Sequence, residues 1–194
     1  MTEIEAFLMS RAAYIMTVTE KLQQRADNAL PDITYIDGDR LMLLGYIRTL
    51  RIFRSNVNKA KLSGDNINVY AKDPADITTI KSILDKWKRS ESKRIFKLLL
   101  SEALSEFSSL YPHTPEITVR RMKSRWGSCH VNSNRITLNE RLIEAPAECI
   151  RFVILHELCH FIHPNHSSSF YRLLEAFCPY WKKTKKLLED SVIL

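Results

Sequence analysis

The segment that most restricts what this chain can become runs from His156 to His166 and reads HELCHFIHPNH. It closes an apolar run that begins at Ala147, and Pro146 just before that run is a favourable helix start. Residues four apart on a helix share a face, so His156 and His160 point together while Glu157 stands to one side. Ile150, Val153, Ile154, Leu158, Phe161 and Ile162 cover most of the opposite surface. A helix so apolar has to be enclosed, and it carries two imidazoles and a carboxylate into a low-dielectric setting.

Two imidazoles and a carboxylate at this spacing are metal-site chemistry. The two nitrogens serve one ion, and Glu157 is near enough to act on a water held there. Four of the six histidines fall within these eleven residues, which sets the segment apart from a chance match. The third ligand has three candidates. His163 lies almost on the same face, but Pro164 disfavours helix at the residue before it. A turn through Pro164-Asn165 brings His166 back, and Glu175 lies further on in the next helix. His166 is favoured, with His163 and Glu175 as rivals. Three histidines leave one coordination position open, the pattern of a catalytic site. Zn2+ suits such a site best, other divalent ions fit it, and Glu157 as general base makes hydrolysis the reaction class.

At 194 residues, with 45% apolar and 26% charged, the chain is expected to form a single domain, 1–194. No apolar run approaches the ~18 residues of a membrane span. Glu3 and Glu5 stand where a secretory signal carries Lys or Arg. Cys129, Cys149, Cys159 and Cys178 lack CxxC spacing and read as reduced thiols. The expectation is a cytoplasmic protein without a membrane partner.

Along the chain, apolar periodicity predicts a helix over 3–27. Short apolar runs at 33–36, 40–47, 50–53 and 67–70 predict antiparallel hairpins turning at 37–39 and 63–66. Asp73-Pro74 opens a long helix to about Leu110, with Asp73 as its cap. Strands follow at Glu116–Arg121 and Arg135–Leu138, separated by the polar loop KSRWGSCHVNSN, and then helices at Ala147 to about Ile162, at 169–177 and after Pro179. The order suggests an α+β fold with small antiparallel sheets packed on helices, a strand-rich lobe over 1–72 and a catalytic core over 73–194.

The net charge of +7 gathers at 81–97, 120–135 and 182–186. The first and third clusters read as solvated helix faces. The middle one, around Lys123, Arg125 and Trp126, crowds a loop and suits an anionic or carboxylate-bearing substrate. A nucleic-acid-binding protein with an accessory metal site is the different-class reading; nucleic acid is a candidate partner but not the favoured one.

The segments MKSRWGSC (122–129), ITLNERLIEAP (136–146) and HELCHFIHPNHSSSF (156–170) together resemble the YgjP-like family of zinc-dependent metallohydrolases, related to SprT and WSS-type metallopeptidases. EIEAFLMSRAAYI, DGDRLMLLGYIRTLRI and CPYWKKTKKLL follow the family's order. The resemblance implies a zincin-like fold, zinc on His156, His160 and His166, Glu157 as catalytic base, and His163 in the cleft. It implies a metallopeptidase by motif, with nucleoside triphosphate pyrophosphatase activity on UTP as the alternative attributed to the group. Lys123, Arg125, Trp126 and His163 are the candidate substrate-binding residues. Such relatives begin with a further basic strand-forming segment, so an edge of the N-terminal sheet is expected to be missing or differently built.

Overall fold

The computed structural model describes residues 32–192, and the helix expected over 3–27 lies outside them. From Ile33 onward the chain forms one compact unit. The first sheet contains β1 (Arg40–Leu43), β2 (Tyr46–Arg54), β3 (Lys59–Ser63) and β4 (Asn66–Ala71), in the order β1-β2-β4-β3. β1–β2 and β3–β4 are antiparallel hairpins, but β2 and β4 run parallel, so the sheet is mixed and not antiparallel throughout. Composition explains the arrangement. β4 buries Ile67, Val69 and Ala71 at alternate positions and takes the centre, whereas the polar KAKLS strand is left at the edge.

Two apolar runs behave differently from their appearance. RLMLLGYI is split by Leu44 and Gly45, both at positive φ (54° and 79°), which turn β1 into β2. ITYI at 33–36 forms no strand, because the Asp39 carboxylate accepts the N–H groups of Thr34 (2.8 Å) and Tyr35 (2.6 Å) that a sheet neighbour would otherwise take.

Helix α1 (Ile77–Phe107) is capped by Asp76 instead of Asp73. The Asp76 carboxylate accepts from the Thr79 N–H at 3.1 Å and the Thr79 hydroxyl at 2.6 Å, while Asp73 closes a turn onto Ala75 N. The inner side of α1 buries Ile80, Leu84, Phe96, Leu100 and Phe107.

The second sheet, β5 (Glu116–Arg120), β6 (Gly127–His130) and β7 (Arg135–Asn139), has the order β5-β7-β6. β5 lies parallel to β7 and β6 antiparallel to it, so this sheet is mixed too. The polar stretch read as a loop therefore holds a strand. Pairing with β7 stabilises Gly127–His130, and no local preference announces such a strand. Asn134, at φ 44°, turns the chain from β6 into β7.

A 3₁₀ segment (Glu140–Glu144) then leads to α2 (Ala147–Cys159), α3 (Ser168–Phe177) and α4 (Trp181–Ser191). α2 stops three residues before the expected Ile162, where Phe161 and Ile162 donate to carbonyls three residues back and tighten the last turn. Its start is braced by the β1–β2 turn: Leu44 and Gly45 donate to the carbonyls of Ile143 (2.7 Å) and Glu144 (3.0 Å). Both sheets and all four described helices share one hydrophobic core. The fold class is α+β. Among the described residues no helix is long and apolar enough to cross a membrane.

Candidate metal centre

His156 and His160 lie one turn apart at the end of α2, with ring centroids 5.0 Å apart. The chain then turns through His163-Pro164-Asn165, and Ser167 N donates to Asn165 O at 2.8 Å. This turn brings the His166 ring to 4.9 Å from that of His156 and 4.7 Å from that of His160. One nitrogen from each of the three side chains lies within 4.8 Å of the others, and the Nε2 atoms of His156 and His166 are 2.9 Å apart. Three imidazole nitrogens directed at one point, with no thiolate among them, suit a zinc-type ion with an open position.

The protonation chemistry agrees. Burial pushes the pKa of His156 down to about 3 and that of His160 downward, which keeps both rings in the neutral form that offers a lone pair. His160 Nδ1 lies 3.3 Å from the carbonyl oxygen of His163. A proton on Nδ1 donates there, leaving the Nε2 lone pair for the cluster.

Beneath the rings is a residue that sequence reasoning missed. Phe170 is fully buried, with its ring centroid 4.9 Å from His156 and 4.7 Å from both His160 and His166. Ser167 caps α3 by accepting from Phe170 N, which fixes this floor relative to His166. The available signal was Phe170's place four residues after His166, on the first turn of a helix opened by Ser167.

Glu157 is buried, and burial raises its carboxyl to about 8, opposed by the Cys129 main-chain N–H and the Arg125 guanidinium. The carboxylate has room because β6 carries Gly127. A Cβ at that position would stand 2.5 Å from Glu157 Oε1 and 2.9 Å from its Cδ and Cγ. Gly127 was also missed, although it is the one glycine after residue 64, and a glycine within a strand marks a close approach.

Asn139 completes the surroundings. Fully buried, it donates through Nδ2 to the carbonyls of Met122 (2.9 Å) and Arg125 (3.0 Å), accepts from Arg141 N (3.2 Å), and donates its own N–H to Trp126 O at 2.8 Å. It clips down the 122–126 loop. Of the loop's candidates, Arg125 is exposed and close enough to act on Glu157, Trp126 is half-buried against the core, and Lys123 is exposed with no ion-pair partner among the described residues. His163 contributes its carbonyl to His160, and its ring is not in the cluster. Glu175 is exposed on α3 and also outside the cluster. Burial pushes the thiols of Cys129 and Cys159 up to about 12, which removes them as nucleophiles at neutral pH.

A family model for the YgjP-like metallopeptidase domain matches residues 1–191. The chain belongs to the YgjP-like metallopeptidase family. Membership supports a metal-dependent peptidase function and implies a divalent metal. Among solved structures, the YgjP-like chain is similar to the metallopeptidase zymogen jannalysin of Methanocaldococcus jannaschii, at 23% identity over 52% of this chain and 93% of that one, TM-score 0.46. It is similar also to the metallopeptidase zymogen abylysin of Pyrococcus abyssi, at 24% identity over 47% of this chain and 87% of that one, TM-score 0.42. No curated protein matches significantly.

Proposed function

We propose that this YgjP-like protein is a zinc-dependent peptidase whose HExxH-x5-H residues, His156, His160 and His166, hold the ion and whose Glu157 is the general base. One observation carries the reading: the imidazoles of His156, His160 and His166 converge at the end of α2, the helix on which the buried Glu157 carboxylate follows His156. Bound there, zinc supplies Lewis acidity to the attacking water and to the bond under attack.

The chain's own residues do the rest. Glu157 takes the proton released by the attacking water and delivers it to the leaving amine, a role suited to a carboxyl whose pKa burial has moved towards neutrality. Gly127 leaves the space in which that carboxylate turns, and the Cys129 N–H holds it. Arg125, displayed on the loop that Asn139 clips in place, meets a carboxylate or phosphate on the substrate.

The decisive experiment is Glu157→Gln, which removes a base without removing a ligand. Zinc content stays at one per chain by elemental analysis, and cleavage of an unfolded protein substrate falls by about three orders of magnitude or more. Retained cleavage overturns the role of Glu157, and cleavage indifferent to chelation overturns the metal. A panel with UTP separates the substrate classes. Pyrophosphate release without proteolysis rejects the peptide while keeping the metal-dependent hydrolase.

A further inference from the structure

Residues 40–72 hold seven Lys or Arg and a single acid, Asp65, so the first sheet is a further basic region beside those at 81–97, 120–135 and 182–186. Strand register decides where that charge goes. Across β2, β4 and β3, Arg51 pairs with Asn68 and Asn68 with Lys61, while Phe53 pairs with Tyr70 and Tyr70 with Lys59. These two rows share the face opposite the buried Leu50, Ile67 and Val69.

Phe53 and Tyr70 stack with ring centroids 5.4 Å apart and planes 24° apart, and Phe53 remains 44% exposed. The Nζ atoms of Lys59 and Lys61 stand 5.3 Å and 5.7 Å from the centre of the Tyr70 ring. Arg54 donates to the Lys72 carbonyl at 3.4 Å, and two arginines of this sheet have carboxylate partners, Arg48 with Asp65 and Arg51 with Asp37 at 3.0 Å. Lys59 and Lys61 have none among the described residues. A stacked aromatic pair is by itself an ordinary cross-strand contact. Lys59 and Lys61 guard the open edge of β3, and they also set two ammonium groups beside the aromatic pair, without carboxylate partners among the described residues. On the other side of β3, Ala60, Ile83 and Trp87 line a cleft of about 410 Å³ against α1, which Lys59 also borders.

We infer that the outer face of the first sheet binds single-stranded nucleic acid, its bases stacking on Phe53 and Tyr70 and its phosphates meeting Lys59 and Lys61. Every base has a π-face for such a platform, and the phosphodiester chain complements the positive charge. Bases in a duplex are stacked on each other and do not reach it. None of these residues belongs to the metal centre, so this inference does not depend on the peptidase reading.

The test is fluorescence anisotropy of the full chain with labelled oligothymidylate and oligouridylate of about 12 nucleotides, beside a duplex of equal length. Either single strand binds, and the duplex binds more weakly. Phe53→Ala lowers affinity roughly tenfold without changing the salt dependence. The double variant Lys59→Gln, Lys61→Gln flattens the slope of log K against log salt by about 1.4, the share of two phosphates on a single strand. Both lysines are exposed, so this variant carries the test even where Phe53→Ala lowers the melting temperature. Absence of binding, a duplex held as tightly as the single strands, or a salt slope unchanged in the lysine variant overturns the inference. So does competition by polyglutamate as effective as that by the oligonucleotides.

Discussion

Each sheet sets two strands parallel, with two antiparallel hairpin partners in the first sheet and one in the second, yet β4 alternates buried and more open positions from Asn66 to Ala71, whereas β7 is buried at four successive positions, Ile136 to Asn139. The first sheet has one face on the core and one turned outward, so polar residues cost nothing on its open side. The second sheet has its middle strand covered on both faces. Each polar residue there must be satisfied internally, and Asn139 does this by holding the loop beside the metal centre. One-sided burial makes a scaffold with a free surface. Two-sided burial makes a place where polar groups have fixed positions, as the general-base role proposed for Glu157 requires.

The strongest way to break this comparison uses two glycines that both lack room for a side chain. Gly127→Ala in the second sheet drives a Cβ into the Glu157 carboxyl, and a displaced base costs turnover about a hundredfold or more. Zinc content and substrate KM change little, because no ligand moves. Gly45→Ala in the first sheet collides with Pro146, where a Cβ would lie 2.8 Å from Cγ, and adopts a φ of +79° that Ala resists. That variant loses about 2 kcal/mol or more of stability in urea titration while each folded molecule turns over normally. Equal losses of turnover per folded molecule in the two variants would erase the distinction.

A somewhat smaller effect separates two asparagines. Asn139→Ala strips donors from the Met122 and Arg125 carbonyls and costs about 1.5 kcal/mol in urea titration, with a raised KM as the Arg125 loop loosens. Asn68→Ala, on the open face of β4, stays within about 0.5 kcal/mol. A comparable cost at Asn68 would show that the first sheet is covered on both faces as well.

The same contrast explains what the amino-acid order reveals. The described helices were legible from local signals, an apolar stripe in α1 and an apolar run after Pro146 in α2, and the pairing of His156 with His160 follows from helical spacing alone. The cap at Asp76 was displaced from Asp73 because either Asp can accept a turn's N–H, and only the fold decides between them. β3 and β6 were missed for a common reason: KAKLS and GSCH are polar, and each becomes a strand through a distant partner. Parallel pairing of β2 with β4 and of β5 with β7 likewise belongs to the tertiary level. At the candidate metal centre, spacing reached the imidazoles, but Phe170, Gly127 and Asn139 act through contacts made across elements. None carries a charge or a metal-binding atom to announce its role.

The smallest expected effect concerns pH and again divides the sheets, since Glu157 faces the second. In protein stripped of metal by chelation, Glu157 has a folded pKa near about 8 against an ordinary 4.5, raised by burial. Between these values the unfolded chain releases a proton that the folded chain keeps, so stability falls as pH rises. His156 has the opposite sign. Its folded value near about 3, against 6.5, means that the unfolded chain takes up a proton as pH falls through 6.5 while the folded chain does not, so stability is lost towards acid. The two slopes oppose each other from pH 4.5 to 6.5, and above 6.5 only the Glu157 slope remains. Urea titrations of the stripped protein at pH 6.5 and 8 should therefore differ by about 1 kcal/mol, the higher pH being less stable. Glu157→Gln removes that loss, while Asp65→Asn, on the β3–β4 turn of the first sheet, leaves it in place. A loss that persists in Glu157→Gln would mean that the buried carboxyl is not its source, and that the second sheet does not impose on Glu157 the environment described here.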